Sequence, residues 1–588
     1  MPDGRADGTL GSIGLAISGV EGDAPSVDLD GQLTPKKVAV NRRIAVGTRL
    51  NDTRTVDVRL VNFGRAMVFR SSYLPSAPAS TPLTWIGAAV PPGKADIEAL
   101  FGGVLNGHFA LRSGGIERRS LVCLDTADWR LRRAGLDLVY VERDGLLALS
   151  SPDSGRIEQT VGRLRWPAVI NGIPAGPVRD ALSGPVWVRA LLPIAKGRLV
   201  GLRFSVLNED AKTVARLVWW DGSLQAPGQA ALPARVDIEC LRGYQKDAGE
   251  VVRLLSAGAP LGATSGSWLD DMRGTAGVVP LSSQRFEMQP DQPADLVVAE
   301  ALLAYLFDLE ANVAGVIGDV DTEYLHDLRI AVRRTRSIVK LLGDVLPEGL
   351  AERMAPEFRW LGQVTTPARD LDVYLLSVDE LAASVSRPDE LDPFAEHIRG
   401  QRALAYRNLV RALRSRRFSS LCQVWRAELE SVVAAPAWHQ LTASQLADER
   451  VRRIFRKVRK RASLIGADSP AEEVHALRKT CKEMRYLVEL FKPLCAPKAY
   501  KQVIRDFKDL QDILGEFQDS EVQAAALRQF AQEMIDGGMV KAGTILAMGE
   551  LCGRFDARQQ NARDELTAHH DAYLGKQAVR HVKRLVLR

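Results

Sequence analysis

The sequence predicts an α+β protein of more than one domain, in which a mostly antiparallel β domain precedes a helical bundle. At 588 residues the chain is too long for a single hydrophobic core, because domains of about 150 residues are typical. Short β-branched and aromatic runs separated by turn signals fill residues 83–266, and apolar residues recur with helical spacing from about residue 290. With 46% hydrophobic and 26% charged residues, the chain is neither collagenous nor wholly disordered.

These patterns predict four segments. Residues 1–75 form an N-terminal extension with one strand-like alternation, Val56 to Val61, and no other assignable pattern. Residues 76–280 are the β domain, 281–294 a polar linker that contains proline, and 295–588 the helical domain. The β domain rests on six runs: Leu121 to Leu124, Leu136 to Val141, Val186 to Leu191, Leu202 to Val206, Leu217 to Trp220 before the turn signal Asp221-Gly222, and Val236 to Leu241.

The overall charge and cysteine pattern identify no ligand. Lys and Arg total 78 and Asp and Glu total 72, so the net charge of +6 is too small to argue for a polyanion by itself. The six cysteines form no C-x-x-C pair, which predicts a reducing compartment without a zinc site or disulfide framework. We find no secretory signal and no stretch of about 18 apolar residues, so we expect a cytoplasmic protein without membrane insertion.

An internal duplication organises the helical half. The motif His326-x-x-Arg329-x-x-x-Arg333-x-x-Arg336 recurs 149 residues later as His475-x-x-Arg478-x-x-x-Lys482-x-x-Arg485. The same offset aligns Arg359 with Lys508, Asp370 with Asp519 and Val373 with Val522. Two separate segments that agree at one offset indicate repeats, at about 295–435 and 443–588.

Each copy of the motif places cationic residues on one side of a helix. The first stripe is roughly 80° wide at helical spacing and consists of His326, Arg329, Arg333, Arg336 and Lys340. The second stripe consists of His475, Arg478, Lys482 and Arg485, and is shorter because Glu489 stands where Lys340 does. Arg334 lies off the stripe, and we expect it to be exposed. A solvated surface face is the ordinary interpretation of a basic run, but these stripes contain almost no acid and occur twice.

A third basic helix lies in the same half. It contributes Arg452, Arg456 and Arg459 at helical spacing. Residues 399–461 contain 16 Lys and Arg against 4 Asp and Glu, so charge is segregated, as a site for an extended anion requires. Arginine suits phosphate because its planar guanidinium offers several donors to adjacent oxygens. No Walker-type loop is present, and His-x-x-Arg spacing does not suit a divalent metal, so we predict no cofactor and no metal.

The paired motifs, each followed by a Leu, an Asp and then x-x-Val, resemble the CHAD family, the histidine α-helical domain, over about 295–588. The resemblance implies two pseudo-symmetric four-helix repeats that enclose a basic groove for inorganic polyphosphate. It also implies association with polyphosphate granules, as in bacterial CHAD proteins, with granule-associated proteins as further partners. The binding residues it implies are His326, Arg329, Arg333, Arg336, Lys340, His475, Arg478, Lys482 and Arg485, to which helical spacing adds Arg452, Arg456 and Arg459.

The β half resembles a degenerate CYTH domain, the barrel-like triphosphate tunnel fold. Cys123-Leu124-Asp125-Thr126-Ala127-Asp128 followed by Ala134-Gly135 is similar to the family's Tyr-Phe-Asp-Thr-Pro-Asp hairpin. The family's metal-binding E-x-E-x-K strand is missing, because the expected strand reads Leu83-Thr84-Trp85-Ile86-Gly87-Ala88-Ala89-Val90. Val139 and Val141 stand where the family has arginines. The remaining polar candidates, which solvated strand edges explain equally well, are Arg156, Glu158, Arg163, Arg165, Asp237 and Glu239.

The sequence therefore predicts a polyphosphate-binding protein without catalytic activity. One alternative is a metal-dependent triphosphatase or polyphosphatase of the CYTH class. Another is a phosphotransfer module in which His326 or His475 is transiently phosphorylated. The aromatic-poor stripes disfavour nucleic acid, because stacking platforms for bases are missing.

Overall fold

The computed structural model describes residues 59–63, 66–70, 80–85, 94–151, 155–263, 268–281, 286–436, 441–466, 468–538 and 540–585. The chain divides into two compact units, residues 1–76 and 77–588. In the first unit, β1 (Arg59–Phe63) pairs antiparallel with β2 (Ala66–Arg70). The predicted alternation at Val56 to Val61 thus falls partly on β1, and its first three residues lie outside the described part.

The second unit begins with an antiparallel sheet. Its strands are β3 (Ser80–Trp85), β4 (Ala110–Asp125), β5 (Asp137–Val141), β6 (Leu146–Ser151), β7 (Gly155–Thr160), β8 (Leu192–Leu207), β9 (Thr213–Ala226), β10 (Ala230–Cys240) and β11 (Leu261–Ala263). They are ordered β11-β3-β10-β9-β8-β4-β5-β6-β7, and every pair of neighbours is antiparallel. The predicted antiparallel β domain is confirmed.

Five helices cover this sheet: α1 (Lys94–Leu105), α2 (Arg130–Arg133), α3 (Pro177–Val186), α4 (Gln245–Gly258) and α5 (Trp268–Ala276). The first four lie on one face, where α1 and α4 share a core with Phe204 and Trp219. Helix α3 extends that layer over β4 to β6. On the opposite face, Leu269 and Met272 of α5 pack with the apolar side chains of β4, β8 and β9.

Two sequence predictions in this half are wrong. The run from Val186 to Leu191 is not a strand: Val186 ends α3, whose buried face has the helical spacing Val178, Leu182, Val186. Asp221-Gly222 is not a turn but lies inside β9. Gly222 is required there because a Cβ atom would come within 2.9 Å of Leu199 and Trp268, so this glycine marks close packing.

The helical half contains ten α-helices in the described residues. They are α6 (Ala294–Ile317), α7 (Thr322–Leu342), α8 (Leu350–Ser384), α9 (Asp392–Leu413), α10 (Arg416–Ala434), α11 (Ala443–Ala462), α12 (Ala471–Leu490), α13 (Pro497–Asp536), α14 (Ala542–Leu574) and α15 (Lys576–Lys583). Helices α11 and α12 start 149 residues after α6 and α7, and α13 and α14 start within two residues of that offset from α8 and α9. Each repeat of four helices is followed by one more helix, α10 or α15.

Backbone contacts at the repeat starts show their pseudo-two-fold relation. Ala294 N donates to Leu441 O at 3.2 Å, and Ala443 N donates to Gln292 O at 2.8 Å. Each bond joins positions that the 149-residue offset exchanges, as does the bridge between Pro293 and Thr442. The helix predicted to begin near residue 295 therefore starts at Ala294, tied to the start of its duplicate.

A buried polar cluster joins the β half to the helical half. Arg189, whose side chain is 2% exposed, donates from Nη1 to Asp321 Oδ1 at 3.3 Å and from Nη2 to Asp327. Asp321 is the N-cap of α7: it accepts hydrogen bonds from the backbone N–H groups of Glu323 and Tyr324, and from Ala190 N at 2.9 Å. The start of α7 is therefore held by the β half.

Candidate anion-binding site

The stripe on α7 lies along the boundary with α8. Arg329 Nη1 donates to the hydroxyls of Thr365 and Thr366 on α8, at 3.0 and 2.8 Å. Burial lowers the pKa of Arg329 to about 10, and the neighbouring Arg333 and Arg369 act in the same direction. The guanidinium is thus held beside other cations and would be stabilised by an anion.

Two turns further along the stripe, Arg336 lies over the backbone of α8. A Cβ atom on Gly362 would come within 2.7 Å of Arg336 Nη1, so glycine leaves room for the guanidinium. Burial and the nearby charge of Arg359 both lower the pKa of Arg336. In the described part of the chain, neither arginine forms an ion pair with a carboxylate.

The second stripe lies in the equivalent place, between α12 and α13, but acids neutralise part of it. Arg478 Nη2 donates to Asp519 Oδ1 at 2.8 Å. Arg485 Nε donates to Glu489 Oε1 at 2.6 Å and Nη1 donates to Gln511 Oε1 at 3.4 Å. The two aspartates that the 149-residue offset aligns therefore act on equivalent arginines. Asp519 pairs with Arg478, and the charge of Asp370 acts on Arg329.

The two stripes meet where α7 packs on α12. Burial, together with the charges of Arg478, Arg333 and Arg485, lowers the pKa of Lys482 to about 8. Arg333 and Lys482 are equivalent positions of the two repeats, so like charges approach each other near the pseudo-two-fold axis. Arg333 is exposed and Lys482 is half-buried. The stripes thus contribute to one cationic region.

Two ion pairs fix the relative position of α7 and α12. Lys340 pairs with Glu483, and Arg334 pairs with Glu489 at 3.4 Å. The 149-residue offset relates the two pairs to each other, because it aligns Lys340 with Glu489 and Arg334 with Glu483. At both aligned positions, a cation in the first repeat becomes an acid in the second. Had the second repeat kept the residues of the first, each pair would join two cations, which explains why Glu489 replaces the lysine of the first stripe.

The expectation that Arg334 is exposed is wrong. Its side chain is 30% exposed, pairs with Glu489, and lies 5.7 Å from the ring centre of Tyr305. Lys340 keeps its place at the end of the first stripe, but its ammonium group is engaged by Glu483.

The two histidines are half-buried among cations. Burial lowers the pKa of His326, and the charges of Arg369, Arg333 and Arg189 act in the same direction, against Glu323. Burial also lowers the pKa of His475, as do Lys479, Arg478 and Lys482. An anion at either ring would favour the protonated, hydrogen-bond-donating form.

The predicted binders on α11 are either paired with neighbouring groups or exposed. Arg452 is occupied by Asp448, one turn before it at 2.7 Å, and its Nη2 donates to the carbonyl oxygen of Lys583 on α15 at 3.4 Å. Arg456 and Arg459 are exposed, and neither forms an ion pair in the described residues. Over the described residues, the side chains of these three arginines form no hydrogen bond or ion pair with α7 or α12.

Sequence reasoning missed two cations on α8. Arg369 Nη1 donates to Thr322 O at 3.3 Å at the start of α7, and its charge acts on His326 and Arg329. Arg359 acts on Arg336. The duplication already aligned Arg359 with Lys508, so conservation of a cation across the offset was an available signal.

In the β half, apolar side chains replace the expected arginines, and a buried candidate acid already has a hydrogen-bond donor. Val139 and Val141 pack with Leu121, Cys123 and Met272, where the resembled family has arginines. Asp237 Oδ2 accepts from Trp220 Nε1 at 2.8 Å, and burial raises the pKa of Asp237.

The other polar candidates of this half lie in exposed or paired positions. Glu239 pairs with Arg216 at 3.4 Å, and Arg156 with Glu158 at 2.7 Å. Arg163 and Arg165 are exposed. Over the described residues, no group of three His, Cys, Asp or Glu side chains could hold a metal ion. None of the helices that the structure describes is long and apolar enough to cross a membrane.

Comparison with known proteins finds a family match in the helical half. Residues 300–528 match the family model of the CHAD domain. Two uncharacterized proteins of Mycobacterium tuberculosis, from strains CDC 1551 and H37Rv, are each 28% identical over 220 residues, which are 35% of this chain and 40% of theirs. The chain therefore spans less than half the length of these curated relatives.

Three solved structures are similar to parts of the chain. The CHAD domain from the plant Ricinus communis covers 50% of this chain and 96% of its own, at 24% identity and a TM-score of 0.44. PptA from Streptomyces chartreusis covers 47% and 99%, at 16% identity and a TM-score of 0.36. A putative adenylate cyclase from Bacillus halodurans covers 33% and 96%, at 14% identity and a TM-score of 0.24.

The protein thus combines an antiparallel β domain with a duplicated helical bundle that carries basic helix faces. Within its helical half, residues 300–528 match the CHAD family model, the family that the motifs resemble.

Proposed function

We propose that this protein binds inorganic polyphosphate along the two basic stripes. One observation carries the proposal: the stripes approach each other where α7 packs on α12, with Arg333 and Lys482 close enough to lower the pKa of Lys482. An extended anion that crosses this region would contact cations of both repeats. Association with polyphosphate granules in the cytoplasm is part of the proposal, because a granule presents the same polymer.

Phosphate fits the donors better than other anions do. Arg329 and Arg336 present guanidinium groups two turns apart on α7, and each can donate to two oxygens of one phosphate or of adjacent phosphates. The stripes contain no aromatic side chain on which a base could stack, which favours a polyanion without bases over nucleic acid.

The full chain should bind immobilised long-chain polyphosphate more tightly than tripolyphosphate or duplex DNA of equal phosphate content. Affinity should fall linearly with salt on a log–log plot, because each cation that contacts the polymer releases counterions. Retention by DNA but not by polyphosphate at matched salt would overturn the proposal in favour of nucleic-acid binding. Binding to neither polymer would overturn it outright.

We also propose that the β half catalyses no reaction. Val139 and Val141 belong to an apolar cluster, and Arg273 and Arg235 on the same side of the sheet are ion-paired to Asp137 and Asp271. Helix α5 supplies Arg273 and Asp271, so it fills and neutralises this part of the face.

Purified protein should release no phosphate from tripolyphosphate with magnesium or manganese. The matched variants are Glu239→Gln and Asp237→Asn, which should leave this baseline unchanged. Turnover by the wild type that either substitution abolishes would establish the triphosphatase alternative instead. Transient phosphorylation at His326 or His475 would likewise show as phosphate covalently retained by the denatured wild-type protein and lost in a His→Gln variant.

A further inference from the structure

The two repeats offer an anion very different surroundings. The first seam, between α7 and α8, is formed by Arg329, Arg333, Arg336, Arg359 and Arg369. The second seam, between α12 and α13, is formed by Arg478, Lys482, Arg485 and Lys508. These sets correspond at the 149-residue offset, except that Gln518 replaces Arg369.

Acids within hydrogen-bonding distance neutralise half of the second seam. Asp519 engages Arg478 at 2.8 Å and Glu489 engages Arg485 at 2.6 Å. A phosphate that binds here must displace a carboxylate or share its arginine with one. Each displaced ion pair offsets part of the Coulomb energy that the phosphate gains.

The first seam lacks such partners. Arg329 donates to neutral threonine hydroxyls, and Arg369 donates to a backbone carbonyl. In the described residues, Arg333, Arg336 and Arg359 form no ion pair, and Asp370 acts on Arg329 through its charge without a hydrogen bond or ion pair between them. Five cations are therefore held together before any anion arrives, so the free protein carries a repulsion that bound phosphate would relieve.

A single position separates the two geometries at the seam centre. Gly362 lets the guanidinium of Arg336 lie on the backbone of α8. Its counterpart Gln511 instead accepts from Arg485 and donates from Nε2 to Cys481 O at 3.0 Å. In the second repeat, Gln511 thus occupies an N–H donor of Arg485, and the equivalent donor of Arg336 in the first repeat remains available to an anion.

We propose that the first seam is the principal subsite for a chain of condensed phosphates, with Arg359 and Arg369 as contact residues and Gly362 as the residue that sets the position of Arg336. The second seam contributes weaker contacts to the part of the phosphate polymer that extends past Lys482. This proposal rests on the proposed function, and it ranks the two repeats, which the duplicated motif alone would make equal.

The test compares two double variants with the same change of charge. Arg336→Ala with Arg359→Ala should weaken long-chain polyphosphate binding by about 10- to 100-fold at low salt. Arg485→Ala with Lys508→Ala should weaken it several-fold less, because Glu489 already engages Arg485. Equal losses, or a larger loss in the second double variant, would overturn the proposal.

Gly362→Ala provides a test without any change of charge. The new methyl group would meet the flexible end of Arg336 and displace it, while alanine stabilises the helix interior relative to glycine. Binding should weaken about 3- to 10-fold with no loss of thermal stability and little change in the salt slope. Wild-type affinity in this variant would refute the role of Gly362. If the double variant Arg336→Ala with Arg359→Ala does not fold, the affinity of Gly362→Ala decides whether the first seam is the principal subsite.

The outcomes separate this proposal from the proposed function. Wild-type protein that binds no polyphosphate would remove both. Wild-type protein that binds polyphosphate, with equivalent seams, would remove only the ranking. Arg369→Gln, which copies Gln518 of the second repeat, should lower affinity in the same direction as the first double variant.

Discussion

Replacing Arg329 and Arg478 together by alanine should weaken polyphosphate binding by about 2–6 kcal/mol at low salt. Each arginine is partly buried and donates charged hydrogen bonds, for which about 1–3 kcal/mol is typical, and the contributions of separate sites add. Arg329→Ala should account for the larger part, since Arg478 is already paired with Asp519. Binding isotherms at several salt concentrations would measure both the loss and a shallower slope, by roughly one unit for each cation removed.

The structure indicates that this double variant will fold. Without Arg329, the hydroxyls of Thr365 and Thr366 still donate to Gly362 O, at 3.0 and 2.8 Å. Without Arg478, Asp519 remains hydrated, because its side chain is 63% exposed. Neither substitution therefore leaves a buried polar group without a partner.

The control must remove two charges elsewhere. Arg334 is unsuitable, because it pairs with Glu489 across the two repeats. Arg112 and Arg118 are exposed on β4 of the β domain, so Arg112→Ala with Arg118→Ala changes the net charge equally. If this control loses as much affinity as the stripe variant, net charge rather than the stripes determines binding.

The duplication made the helical half predictable from sequence. Helical periodicity and one constant offset fixed the start of α6 near residue 295, the equivalence of the repeats, and the stripe positions. The offset aligned Asp370 with Asp519, and the structure adds that the charge of Asp370 acts on Arg329 while Asp519 pairs with Arg478.

The sequence could not reveal the ion pairs between the two repeats. Their acids, Glu483 and Glu489, lie on α12 more than 140 residues from Lys340 and Arg334, and only helix packing brings them together. Likewise, Asp221-Gly222 resembles a turn locally, although neighbouring strands and α5 require glycine inside β9. Both errors arise because tertiary contacts decide what a local pattern leaves open.

The largest effect on stability should come from Arg189→Met. Burial alone would lower the pKa of Arg189, but Asp321, Asp327 and Asp128 together raise it, so the ionised cluster favours the charged arginine. Methionine roughly fills the space but leaves Asp321, whose side chain is 1% exposed, without its cation. Removing one partner of a buried ion pair typically costs about 3–5 kcal/mol.

Denaturant unfolding and calorimetry of the full chain would measure this loss. The exposed pair Arg156–Glu158 supplies the matched control, since Arg156→Met should cost about 0–1 kcal/mol. Asp321→Asn retains an N-cap side chain for α7 while removing the charge that Arg189 compensates. The double variant Arg189→Met with Asp321→Asn should therefore be less destabilised than the sum of the single changes.

The same substitution also tests how far the β half positions the stripe. Asp321 caps the helix that carries His326 and Arg329, and Ala190 N donates to the same carboxylate, so loosening this contact should free the first turn of α7. Amide hydrogen exchange should then increase in residues 322–326 of Arg189→Met under native conditions, before global unfolding. If exchange there is unchanged while the variant is destabilised, the cluster stabilises the fold as a whole and does not position the stripe.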